Sequence, residues 1–247
     1  SADERSKRLK PLASLLQENS DIDPSQVKQM DFAELRDKLI SLNPLNPEWV
    51  SKINEAEAEF WVNSAGIRID YSDKILGFEC GGQQWVSEVS FPVYDGSVSD
   101  IDFVFELLSL AEKKKIPAPS PIEQRWTNQS SAKMSPANGI ANSWVGIIMY
   151  LPTEDIRMRN DITRSFYEYR DLVKDELWDK YGCVEHWAKI EMPETLIEAL
   201  ELQNRLKSKF PIEEFNLVRK IVDPKNILAN DLVNALFGTG SWKKWFK

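Results

Sequence analysis

A chain of 247 residues is long enough to bury a sizeable core, and 42% hydrophobic with 28% charged residues is the composition of a folded protein rather than a disordered one. A formal net charge of -8 and a pI near 5.0 exclude a broad nucleic-acid footprint, which needs clustered Lys and Arg. Two cysteines, Cys80 and Cys183, and a single histidine, His186, exclude a disulfide framework and a Cys/His metal centre.

The first 60 or so residues predict helices. Leu12, Leu15 and Leu16, then Phe32, Leu35, Leu39 and Leu42, recur at three- and four-residue steps. Asp31, with Glu34 three positions on, reads as the N-cap of the second helix. The NPLNP run at 43–47 interrupts it, and a third helix is expected from Pro47 to about Asn63. From Ile67 the period changes to two: Ile67 and Ile69 alternate with Arg68 and Asp70, and the segment from Leu76 to Phe91 is rich in Trp, Val and Phe, so strands are expected.

A helix is expected from Ser99 to Lys115, followed by the stiff extended connector IPAPSP. Ser130 to Asn142 is polar and small and reads as a loop. Trp144 to Tyr150, WVGIIMY, is a continuous apolar run suited to a strand covered on both faces. It is far shorter than the roughly 20 residues of a membrane span. Arg157 to Lys180 carries a helical stripe of Ile162, Phe166, Tyr169, Leu172 and Leu177. Cys183 to Met192 is expected as a strand, then helices over 194–210 and 211–221, an Asp223-Pro224 turn, and a last helix near Asp231 to Phe237.

Two segments carry candidate chemistry. In PIEQRW, strand alternation puts Glu123 and Arg125 on one face with roughly 7 Å of rise between them. A carboxylate accepts hydrogen bonds from sugar hydroxyls, and a guanidinium donates a rigid fork to developing negative charge. A structural ion pair on a sheet face is the alternative reading of the same spacing. In GCVEHWAKIE, alternation would place Glu185, Trp187 and Lys189 on one face and His186 on the other. Lys189 facing a cofactor and His186 as acid or base are the functional readings; a hydrogen-bonded core histidine is the plain one.

PIEQRW, WVGIIMYLP, EHWAKIE and DPKNILAN, with AEAEFW and GFECGGQQWVSE upstream, together resemble the C-terminal half of the plant-type L-galactono-1,4-lactone dehydrogenases. These are aldonolactone oxidoreductases among the flavoproteins of the vanillyl-alcohol oxidase fold. The resemblance implies an α+β cap domain, an antiparallel sheet flanked by helices, with residues 1–65 as a helical arm, 66–237 as the cap and 238–247 as an aromatic and basic tail. It implies that the segment of about 211–237 runs back towards an FAD domain. It further implies Glu123 and Arg125 as substrate-positioning and charge-stabilising residues, Lys189 beside substrate or flavin, and His186 and Asn230 near the cofactor, with no metal.

By the same resemblance the cofactor is FAD, the substrate an aldonolactone oxidised to ascorbate, and the electron acceptor cytochrome c. No glycine-rich phosphate cradle and no setting for covalent flavin attachment occurs in the chain, and the resemblance implies that several early cap strands also lie elsewhere; a separate chain carrying the FAD domain and those strands is the simplest expectation, a cleaved longer protein the alternative. The resemblance places the protein in mitochondria at the inner membrane, and an accessory or assembly role in respiratory complex I is the alternative function. A scaffold that binds protein only is the third. Cys80 reads as a buried thiol or a redox-sensitive one, and Trp242, Trp245 and Phe246 among lysines as a strap or an interfacial tail.

Overall fold

The computed structural model of the protein describes residues 2–64, 67, 69–76, 82–239 and 242–245. Cys80 lies outside them, as do the side chains of Trp242, Trp245 and Phe246. The chain forms two interleaved units, one of Ser1–Ser87, Ile101–Glu123 and Val145–Asp179, the other of Glu88–Asp100, Gln124–Trp144 and Lys180–Lys247. The fold is α+β, with an antiparallel four-stranded open sheet flanked by helices. Strands β1 (Gln84–Pro92), β2 (Glu123–Thr127), β3 (Asn142–Tyr150) and β4 (Val184–Glu185) lie in the order β2-β3-β1-β4.

In the first unit, α1 (Ala2–Asn19) packs on α3 (Phe32–Leu42) and α4 (Pro47–Val62), with α2 (Pro24–Val27) beside it. Most of the expected stripe is core: Leu12, Leu16, Leu35 and Leu39 are buried together with Ile53 of α4 and Tyr150 of β3, whereas Leu42, the last residue of α3, is 43% exposed. The cap of α3 falls where the sequence puts it. Asp31 accepts from the Glu34 amide while the Glu34 carboxylate accepts from the Asp31 amide, a reciprocal capping box, and Asn46 caps α4 through the Trp49 amide. The Pro-rich connector, poor in donors, is held by Asn54 of α4, which donates to the Ala118 carbonyl and accepts from the Ser120 amide, both at 2.9 Å.

Helices α6 (Ser99–Lys114) and α7 (Ile156–Val173) follow the expected spans. The α7 stripe continues through a π-turn (Lys174–Trp178) into α8 (Asp179–Tyr181), burying Ile162, Phe166, Tyr169, Val173, Leu177 and Trp178. Trp85 of β1 stacks on Phe166 and donates to Thr163 at 2.8 Å.

In the second unit, α9 (Leu196–Lys209), α10 (Ile212–Val222) and α11 (Asp231–Phe237) enclose Ile190, Leu202, Leu206, Phe210, Ile212 and Leu236. Ala199 and Ala235 let α9 and α11 approach closely, and Gly238 ends α11 in the left-handed conformation, at φ 63°.

Two expected strands are corrected. Ile67 and Ile69 are not in a strand and are 95% and 94% exposed, while Ser72–Leu76 is a short helix, α5; alternation makes a strand only where one face finds cover. The strand expected over Cys183 to Met192 stops at Glu185. Its ladder to β1 consists of Val89 opposite Glu185 and Ser90 opposite Val184. Past that point the chain turns into a 3-10 helix, Trp187–Lys189.

Candidate active site

The reason for that turn is also the start of the site. His186 donates its backbone N–H to the Glu88 carbonyl at 2.9 Å, the last sheet-like bond of this segment. Its imidazole Nδ1 then accepts the Ala188 amide at 3.1 Å, and the Lys189 amide closes on the His186 carbonyl at 2.8 Å. A side chain that caps its own following turn competes with the ladder, and here it wins. The acceptor role of Nδ1 assigns the proton of the neutral ring to Nε2. That atom faces Glu88 Oε2 at 3.9 Å.

Glu88, on β1, is only 7% exposed. Its Oε1 accepts from Nε of Arg125, on β2, at 2.7 Å, and forms an ion pair with Nη2 of the same guanidinium at 2.6 Å. The Arg125 guanidinium sits 5.1 Å from the centre of the Trp144 ring, and that ring also meets His186 edge-on, 5.5 Å between centroids. Trp144 is buried, and its indole N–H donates to Thr127 at 2.9 Å, which fixes the plane. One edge and one face of the guanidinium are therefore committed, yet the Arg125 side chain is 46% exposed. Burial of the acid matters energetically: a carboxylate taken from water costs several kcal/mol unless paired, so Glu88 and Arg125 hold each other in place.

Of the residues the sequence singles out, the structure thus joins Arg125 and His186, through Glu88 and Trp144. Glu123 opens β2 as an exposed residue, and its side chain makes no ion pair or hydrogen bond with another described residue. Lys189 is exposed at the end of the 3-10 turn, and not on a shared strand face with Glu185 and Trp187 as alternation predicts, because the strand has ended. Trp187 instead packs inward, donating to the Met134 carbonyl at 2.7 Å and lying on Phe210. Glu185 pairs with Arg205 of α9 through both carboxylate oxygens, anchoring the segment that carries His186. Asn230 is the N-cap of α11, its Oδ1 accepting the Val233 amide at 2.8 Å. Sequence reasoning misses Glu88, although a lone acid inside the apolar run WVSEVSF is the signal that marks it.

Among the described residues no group of three or more His, Cys, Asp or Glu can hold a metal ion. No helix among them is long and apolar enough to cross a membrane. As for FAD, Lys189 offers an exposed cation to an electron-rich ring or a phosphate, His186 is part-exposed beside it in the chain, and Asn230 already spends its acceptor on a helix cap. The fit is that of a surface which can face a flavin rather than enclose one.

The fold is an α+β sheet-and-helix assembly, and its site presents a braced arginine suited to oxygen-rich ligands. The chain belongs to the D-arabinono-1,4-lactone oxidase family, whose model matches residues 17–236. Mitochondrial L-galactono-1,4-lactone dehydrogenase of Brassica oleracea is 52% identical over 218 residues, which cover 85% of this chain and 36% of that protein. The Arabidopsis thaliana protein of the same description is 50% identical with the same coverage. The mitochondrial L-galactono-1,4-lactone dehydrogenase 1 of Oryza sativa subsp. japonica is 50% identical over 219 residues, 86% of this chain and 38% of its own length. The chain spans little more than a third of the length of these relatives, and the match lies in their C-terminal half.

Proposed function

We propose that this chain is the lactone-binding part of an FAD-dependent L-galactono-1,4-lactone dehydrogenase, completed by a separate chain that carries the FAD domain, in mitochondria. The observation that carries the reading is the half-exposed Arg125 fork, braced by a buried acid, in a chain about half identical to dehydrogenases of that name. FAD, when bound, supplies the hydride acceptor. Arg125 donates to the lactone oxygen where negative charge gathers as a ring hydroxyl loses its proton. Glu123, exposed two positions earlier on the strand, accepts hydrogen bonds from the polyol hydroxyls. Lys189 sets a positive charge towards the flavin, and Asn230 serves through the turn it caps rather than by direct contact. Cytochrome c takes the electrons, and the assembly sits at the inner membrane, attached to complex I or an assembly intermediate of it.

Native purification from mitochondria, with mass spectrometry of the partners and an absorbance scan in the same sample, tests the arrangement. A flavin-bearing partner chain is expected; complex I subunits without flavin would overturn the catalytic reading in favour of an accessory subunit. In the flavin-bearing assembly, Glu123→Ala and Arg125→Lys are each expected to lower lactone turnover by roughly a hundredfold, since each removes one positioned polar group. Lysine keeps a cation for Glu88 but lacks the fork. Unchanged turnover in both variants would move the site elsewhere.

A further inference from the structure

Glu88 does more than neutralise a charge. A surface arginine on a strand edge samples many rotamers, and each one immobilised on ligand binding costs affinity. Here both Nε and Nη2 of Arg125 converge on the same buried oxygen of Glu88, and the face of the guanidinium is set by the Trp144 ring, itself fixed through Thr127. Glu88 lies on β1, inside the sheet, and its other oxygen faces the histidine that caps the next turn. The acid is buried, 7% exposed, while the side chain of the arginine stays 46% exposed.

We propose that Glu88 is a positioning residue for Arg125: it pre-orients the guanidinium so that its free edge meets the lactone oxygen without a conformational search. This rests on the lactone-binding reading of the site. Glu88 touches neither substrate nor cofactor and acts only through Arg125, so the two residues must be coupled. In the flavin-bearing assembly, Glu88→Gln is expected to raise the KM for the lactone about tenfold. In an Arg125→Ala background the same change is expected to alter kcat/KM by less than about twofold.

An independent readout needs no activity and no change at Glu88. In the 247-residue chain, the Arg125 Nε–H proton, assigned by its loss in Arg125→Lys, is expected to be protected from exchange with water. If Arg125→Ala leaves lactone kinetics intact, the functional reading fails and this proposal falls with it. If Arg125→Ala impairs turnover while Glu88→Gln has no effect, or an effect that adds to it, the positioning role alone is overturned. An Arg125 Nε–H that exchanges as fast as that of free arginine overturns it as well, whether or not the Glu88→Gln protein folds.

Discussion

The Tyr169 hydroxyl is buried in the core of α7 and has no hydrogen-bond partner among the described residues, and burial pushes its pKa up. The ring is well used, but the oxygen pays desolvation without return. Tyr169→Phe keeps the packing and removes the orphan, so it is expected to raise stability by about 1 kcal/mol, read as a higher Tm. The same scale shows what a sequence can and cannot reveal about the site. Glu123 and Arg125 stand out because they are neighbours on one strand. Glu88 does not, because its partnership with Arg125 spans 37 positions and exists only once β1 and β2 are both in the sheet. His186 was legible as either a functional or a structural residue, and the capping bond to Ala188 supplies the structural half without removing the other.

At the scale of elements, helix ends were the most legible part, since a cap is a local bargain between a side chain and the next few amides. Asp31 with Glu34 shows this in α3. The turn between α10 and α11 works in the same way: Asp223 accepts the Leu228 and Ile227 amides at 2.9 and 2.8 Å, and these bonds hold its carboxyl below the usual range. A carboxyl with a lowered folded pKa contributes stability that is complete above its unfolded value, about 3.9, and is lost as pH falls through the folded value. Asp223→Asn is therefore expected to have a lower Tm than the wild type at neutral pH, with the gap closing as pH falls below the unfolded value. A gap that persists at low pH would mean the turn depends on something other than this charge. Strands were less legible, because a strand needs a partner that local sequence does not name. Ile67 and Ile69 alternate without one, and the segment after Glu185 loses the one it has. β3, apolar on both faces, needed no such information and was read with its burial.

At the scale of the molecule, the chain passes between its two units five times, at 87/88, 100/101, 123/124, 144/145 and 179/180. The N-terminal helices are consequently part of a core they share with Tyr150 and Ile148 of β3, which the leucine stripes alone do not announce. Removal of residues 1–65 would strip the cover from Tyr150, now 3% exposed. The remaining 66–247 fragment is expected to aggregate on size exclusion and to lose its cooperative unfolding transition. A monomeric fragment that melts cooperatively would show that this shared core is dispensable.

The shared core also sets a schedule for synthesis. Once α4, which ends at Val62, has left the ribosome, about 90 further residues must follow before Tyr150 can join it, a wait of roughly 4–18 s at ordinary elongation rates. Through that interval the helices can cover one another, but the face meant for β3 stays bare. The nascent chain thus has a window in which holdase chaperones are its only cover, and slower translation over the segment between α4 and β3 would lengthen the exposure.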